Sequence, residues 1–138
     1  MSREPSGVES ENNTSVLDSS AVLAVLFEED GAEKVVRHIP TGCISAVNVT
    51  EVVTKALKEG ASLPAVQDFL SRLALEVIPF DFRQALAAGS LQPFAKPHNL
   101  SLGDRACLAV GLTSGRPVVT ADREWANVPI EVAVVLIR

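Results

Sequence analysis

At 138 residues, with 47% hydrophobic and 21% charged side chains, the chain has the length of one packed domain and is too apolar to be disordered throughout. Only 4% of its residues are aromatic, so Val, Leu, Ala and Ile must build the core. A net charge of −5 excludes a general polyanion binder, because phosphate backbones attract Lys and Arg, unless some of the acids are offset by bound cations.

Residues 1–13 are polar, Glu-rich and without periodicity, and they read as a flexible tail ahead of a domain spanning 14–138. Ser15 to Leu17 reads as a strand ending at Asp18, and Ser20 to Glu28 as a helix stopped near Asp30-Gly31. Ala32 to Ile39 is a second helix closed by Pro40. Cys43 to Val47 is the next strand, after which Asn48 opens a helix from Val49 to Lys58 that stops at Gly60. A helix over Ala65 to Leu75, started by Pro64, places Val66, Phe69, Leu70 and Leu73 on one face. It is followed by a strand over Glu76 to Phe80 and a helix over Phe82 to Ala88.

Gln92 to Asn99 is flanked by prolines and reads as a loop, while Ser101 caps a helix running to about Leu112 that Ser114-Gly115 ends. Pro117 to Thr120 is the fourth strand and Asp122 to Pro129 is irregular. Val132 to Ile137 is the fifth strand, whose apolar run suits burial on both faces. Strands alternating with helices predict a single three-layer α/β domain with a mainly parallel five-stranded sheet.

Cys43 and Cys107 lie in apolar stretches without Cys or His at metal-ligand spacing, which predicts buried free thiols and fits a reducing cytoplasm. No basic start leads into an apolar segment, and the longest unbroken apolar run, Ala21 to Phe27, is too short to span a bilayer. The expectation is a cytoplasmic protein with no membrane partner.

Four carboxylates carry the chemical signal. Asp18, Glu51, Asp104 and Asp122 stand where strands end or helices begin, in VLDSSAVLAVL, ISAVNVTEVV, SLGDRACLAVGL and PVVTADREW. Taken singly, each has an ordinary structural explanation. Asp18 reads as an N-cap, Glu51 and Asp104 as capping-box partners of Asn48 and Ser101, and Asp122 as an Asx-turn residue. Taken together, they share the sheet edge at which ligands bind in open parallel sheets, and Asp18 and Asp122 lie side by side if strands one and four are neighbours. Carboxylates gathered in a cleft repel one another unless a cation sits among them, and hard oxygen donors select Mg²⁺ or Mn²⁺. Such a cation acidifies a bound water and would lower the effective charge of the rest of the chain to −5 + 4 = −1.

Those four segments, in that order, resemble a PIN domain of the kind found in VapC-type toxin ribonucleases of bacterial toxin–antitoxin modules. The resemblance covers Ser15 to Ile137. It implies that Asp18, Glu51, Asp104 and Asp122 form the catalytic metal site for Mg²⁺ or Mn²⁺, with the Thr120 hydroxyl orienting a water. It further implies an endoribonuclease acting on an RNA substrate, a homodimer, and a small VapB-like cognate antitoxin that binds operator DNA and assembles with the toxin into a heterotetramer or larger complex. Glu124, two residues beyond Asp122, offers a second acid in the same segment.

Other readings compete. A non-catalytic PIN-like interaction domain would need the acids only as caps. The Asp18-Ser19-Ser20 segment is also similar to the nucleophile loop of haloacid-dehalogenase-type phosphatases, although Ser20 stands where their second Asp belongs. Arg105 and Arg123 follow two of the acids and either hold a phosphate at the rim or are ordinary surface arginines. His98 reads as a solvated loop residue or an RNA contact, His38 as a helix-end cap, and Trp125 as packing beneath its loop.

Overall fold

Short strands buried on both faces decide the architecture. The computed structural model describes residues 14–138; the expected tail lies outside them. In chain order the elements are β1 (Val16–Leu17), α1 (Ser19–Leu26), α2 (Ala32–Val36), β2 (Cys43–Ser45), α3 (Ala46–Lys58), α4 (Leu63–Leu73), β3 (Glu76–Ile78), α5 (Phe82–Ser90), α6 (Gln92–Ala95), α7 (Leu102–Ser114), β4 (Val118–Thr120) and β5 (Val134–Leu136). The strands form one five-stranded sheet in the order β3-β2-β1-β4-β5, and every pairing is parallel.

Successive residues of a strand face opposite sides of the sheet, and the core divides accordingly. Val16, Cys43 and Val118 pack with Leu108 of α7 and with Trp125 on one side. Leu17, Ile44 and Val119 pack with α1, Val35 of α2 and Val52 of α3 on the other. The result is the expected three-layer α/β domain. Among the described residues no helix is long and apolar enough to cross a membrane.

Helix starts follow local chemistry. The Ser62 hydroxyl accepts from the Ala65 amide of α4, the Asp81 carboxylate from the Gln84 amide of α5, and Ser101 and Asp104 form a reciprocal capping box on α7. Gly115 ends α7 at φ 76°, a left-handed position that suits glycine.

Four expectations need correction. The second strand stops at Ser45, whose hydroxyl accepts from the Val47 amide, so α3 begins at Ala46 and Asn48 lies buried inside its first turn rather than opening it. Residues 92–99 are not wholly a loop, because Pro93 stands in the first turn of the one-turn helix α6, where a missing N–H is harmless. The irregular stretch after Asp122 contains a 3₁₀ helix, Arg123–Asn127. Finally, among the described residues β5 pairs with β4 alone and is half-buried, because an edge strand cannot be covered as a central one is.

The chain closes on itself at Gly31. Its φ is +93°, and a β-carbon there would strike the backbone carbonyl of Ile137 just beyond β5, while the Arg138 guanidinium donates to the Asp30 carbonyl at 2.6 Å. Gly31→Ala combines a strained backbone with a steric clash, and we expect it to lower unfolding free energy by roughly 1–3 kcal/mol. Urea titration measures this, and an unchanged midpoint would show that the C-terminal contact yields freely.

Candidate active site

β1 and β4 are hydrogen-bonded neighbours with Val16 opposite Val118 and Leu17 opposite Val119, so both strands run out at the same sheet edge. Asp18 follows β1 directly, and its amide donates to the Val119 carbonyl at 2.9 Å. It occupies the N-cap position of α1, yet its side chain makes no cap hydrogen bond. Instead Oδ2 accepts from the Ser20 hydroxyl at 2.7 Å and from the Thr120 hydroxyl at 3.0 Å. Oδ1 is buried in a residue that is 3% exposed and has no hydrogen-bond partner among the described residues.

Glu51, in the second turn of α3, enters from one side. Its Oε1 accepts from the Ser19 hydroxyl and from Asn48 Nδ2, both at 2.9 Å, and Asn48 Nδ2 also donates to the Gly103 carbonyl at 3.0 Å. Asn48 is therefore no partner in a capping box with Glu51; it is a buried tie between α3 and the first turn of α7. Position 103 must be glycine for this arrangement, since a β-carbon would fall on the Glu51 carboxylate. Asp104 Oδ2 accepts from the Ser101 amide at 2.9 Å, and Asp122 Oδ1 from the Glu124 amide at 3.0 Å. Both thus make the local bonds expected of a cap and of an Asx-type turn.

All four acids nevertheless line one cavity of about 460 Å³. Burial, opposed by the Ser20 and Thr120 hydrogen bonds and reinforced by the charges of Asp104 and Glu51, pushes the Asp18 carboxyl up to about 6. The Asp104 carboxyl is also raised, chiefly by burial against the pull of the Ser101 hydrogen bonds, with the charges of Asp122 and Glu51 adding to it. Beneath them the Cys107 thiol is fully buried, and its pKa is driven up first by that burial and then by the neighbouring negative charges.

The donor set suits a hard divalent cation, because it consists of carboxylate oxygens and includes an orphaned buried one. Among the described residues no three acidic, histidine or cysteine side chains are grouped closely enough to hold an ion as they stand. Asp104 is turned back onto its own helix, and Glu51 is held by Ser19 and Asn48. Ligation would therefore require these two side chains to swing inward.

Other candidate residues are placed elsewhere. Thr120 is in the site, bridging Asp18 and the Asp122 amide. Arg123 donates to the Arg138 carbonyl, and Arg105 is half-buried with an Nε that has no partner among the described residues; neither lines the cavity. Glu124 bonds His98 Nδ1 at 2.7 Å and Asn127 Nδ2 at 3.1 Å, so His98 is anchored rather than solvated. His38 is paired with the Ser15 hydroxyl at 2.9 Å instead of capping a helix, and burial lowers its pKa. Trp125 is buried beneath its loop and the two cysteines are free and buried, as expected. Sequence reading missed Ser19, Ser20 and Gly103 and misread Asn48. Their only signal is adjacency to the acids in D-S-S, N-V-T-E and G-D.

The model of the PIN domain family matches residues 15–131. The chain belongs to the PIN domain family. Solved structures with the same fold include DNA-bound VapBC from Salmonella typhimurium, at 20% identity and TM-score 0.65 over 91% of this chain and 98% of that one. A toxin–antitoxin complex from Klebsiella pneumoniae gives 21% identity and TM-score 0.68 over 90% and 98%. FitAcB from Neisseria gonorrhoeae gives 19% and 0.61 over 89% and 97%. None of the curated proteins compared with the chain matches it.

This PIN domain carries a testable electrostatic load. Because the folded-state pKa of Asp18 lies above its ordinary 3.8, the folded protein binds the proton more tightly, and stability falls as pH rises from about 3.8 through about 6. The cost at neutral pH is about 3 kcal/mol. In chelator, Asp18→Asn should melt above the parent at pH 7.5, and the advantage should vanish near pH 4. A variant that melts lower at both pH values would contradict the buried-charge account.

Proposed function

We propose that this PIN domain is a divalent-cation-dependent endoribonuclease of the VapC toxin type, held in check by a small VapB-like antitoxin. The observation that carries this reading is the convergence of Asp18, Glu51, Asp104 and Asp122 on one cavity at the sheet edge, with a buried Asp18 oxygen left unpartnered. The antitoxin part rests on neighbours of the same fold that are described as toxin–antitoxin complexes. A homodimer, and a heterotetramer or larger assembly with antitoxin in the cytoplasm, belong to the same proposal.

Asp18, Asp104 and Asp122 would hold Mg²⁺ or Mn²⁺, and Glu51 would bind a second ion or position the attacking water. A bound ion would supply an acidified water and charge stabilisation at the phosphate, and the expected products would carry a 5′-phosphate and a 3′-hydroxyl. The chain's own contribution is orientation. Ser20 and Thr120 hold one Asp18 oxygen and so direct the other into the cavity, while Ser19 and Asn48 fix Glu51.

Two measurements test this. Isothermal titration should detect Mn²⁺ binding to the parent and none to Asp18→Asn, with cleavage of total RNA lost in the variant and in chelator. Asp104→Asn keeps an oxygen that can accept from the Ser101 amide while removing a charge. It should therefore hold or raise the melting temperature in chelator while weakening Mn²⁺ binding. Absence of Mn²⁺ binding to the parent would favour the interaction-domain reading, in which the acids are only caps.

A further inference from the structure

The acidic cavity does not end at the acids. It adjoins a second cavity of about 620 Å³, and Ser20, Lys55 and Lys58 line both. On α3, Glu51, Lys55 and Lys58 are spaced by four and three residues and so share one helix face. The lysines stand roughly 6 and 10 Å along the helix axis beyond Glu51. Lys55 and Lys58 are exposed, and among the described residues neither makes a hydrogen bond or ion pair. By contrast, Arg72, Arg116 and Arg138 are paired with Asp68, Glu76 and Glu29. Two free ammonium groups in a chain of net charge −5, beside a cluster of carboxylates they do not neutralise, are placed to receive something else that is negative. Cations also suit the C-terminal turn of α3, but the dipole does not specify the face they occupy. Across from them, Leu23 and the 37% exposed ring of Phe27 line the second cavity.

We infer that this groove is a subsite for the single-stranded polynucleotide flanking the bond to be cut, with Lys55 and Lys58 against its backbone phosphates and Phe27 beneath a base. The inference rests on the nuclease reading and extends it. A basic wall combined with an aromatic face is the pattern that holds single strands with little regard to sequence, because every base has a face to stack and every nucleotide a phosphate. Among the described residues that line this second cavity, Glu29 is held by Arg138 and Glu59, just past the end of α3, is a single carboxylate outside any ion pair, so the two unpaired lysines leave the groove with a surplus of one free positive charge.

The experiment uses the full chain carrying Asp18→Asn, so that RNA is not cut, and a labelled single-stranded RNA about 12 nucleotides long, with affinity read by anisotropy over a range of salt. Adding Lys55→Gln and Lys58→Gln should reduce the slope of log affinity against log salt by about 1.4, that is 2 × 0.7 for two lost phosphate contacts. Adding Phe27→Ala instead should weaken binding roughly tenfold with the slope unchanged. In the cleaving parent background the lysine substitutions should raise KM and leave kcat nearly as it was. RNA still bound with an unaltered slope and no effect of Phe27→Ala would overturn the subsite. A change in sedimentation in its place would assign the face to a second copy or a protein partner, which overturns it equally. If the parent neither binds Mn²⁺ nor cleaves RNA, the nuclease reading itself fails; if it does both and the slope does not move, the subsite alone fails.

Discussion

The structure turns on a carboxylate buried where the sheet reverses its winding. β1 is only two residues long, and both are fully buried, so Asp18 leaves it with its backbone already tied to β4 and its side chain inside the protein. Removing a charge from water is unfavourable unless partners replace the solvent, and here they replace it on one oxygen only. Two hydroxyls, from Ser20 on α1 and Thr120 at the end of β4, supply that half. The core on both sheet faces must supply the stability that tolerates the other half.

The remaining acids combine local structural bonds with a place on the cavity wall. Asp104 closes a capping box and Asp122 caps a 3₁₀ turn, each a bond of the sort worth about 1 kcal/mol. The two acids that make those bonds also line the cavity. Glu51 is restrained differently, through Ser19 and through Asn48, which is itself fastened to the Gly103 carbonyl. α1, α3 and α7 are thereby joined through a few hydrogen bonds around one space.

What was legible in the chain followed from local rules. The succession of strands and helices, the Ser101 cap and the helix stop at Gly115 were readable because each depends on residues near in sequence, whereas the adjacency of the first and fourth strands entered only as a condition that the sheet order meets. That the four acids share one cavity was readable from the topology, since strand ends and the following helix starts share an edge in a parallel sheet. Ser45 and Asn48 were confused because both are good caps and both are buried; only their partners distinguish them, the Val47 amide for Ser45 and the Glu51 carboxylate and distant Gly103 carbonyl for Asn48. The edge position of β5, the His98–Glu124 pair and the turn of Arg123 toward Arg138 depend on spatial neighbours that no local pattern reports.

Cys107 has a consequence of its own. A thiol attacks electrophiles only as thiolate and only when reached, and this one is sealed under a group of negative charges that oppose its ionisation. It should be inert in the closed molecule and ordinary once α7 parts from β1. Its rate of alkylation is therefore an internal clock for that opening, sited directly below the acids and needing no added label.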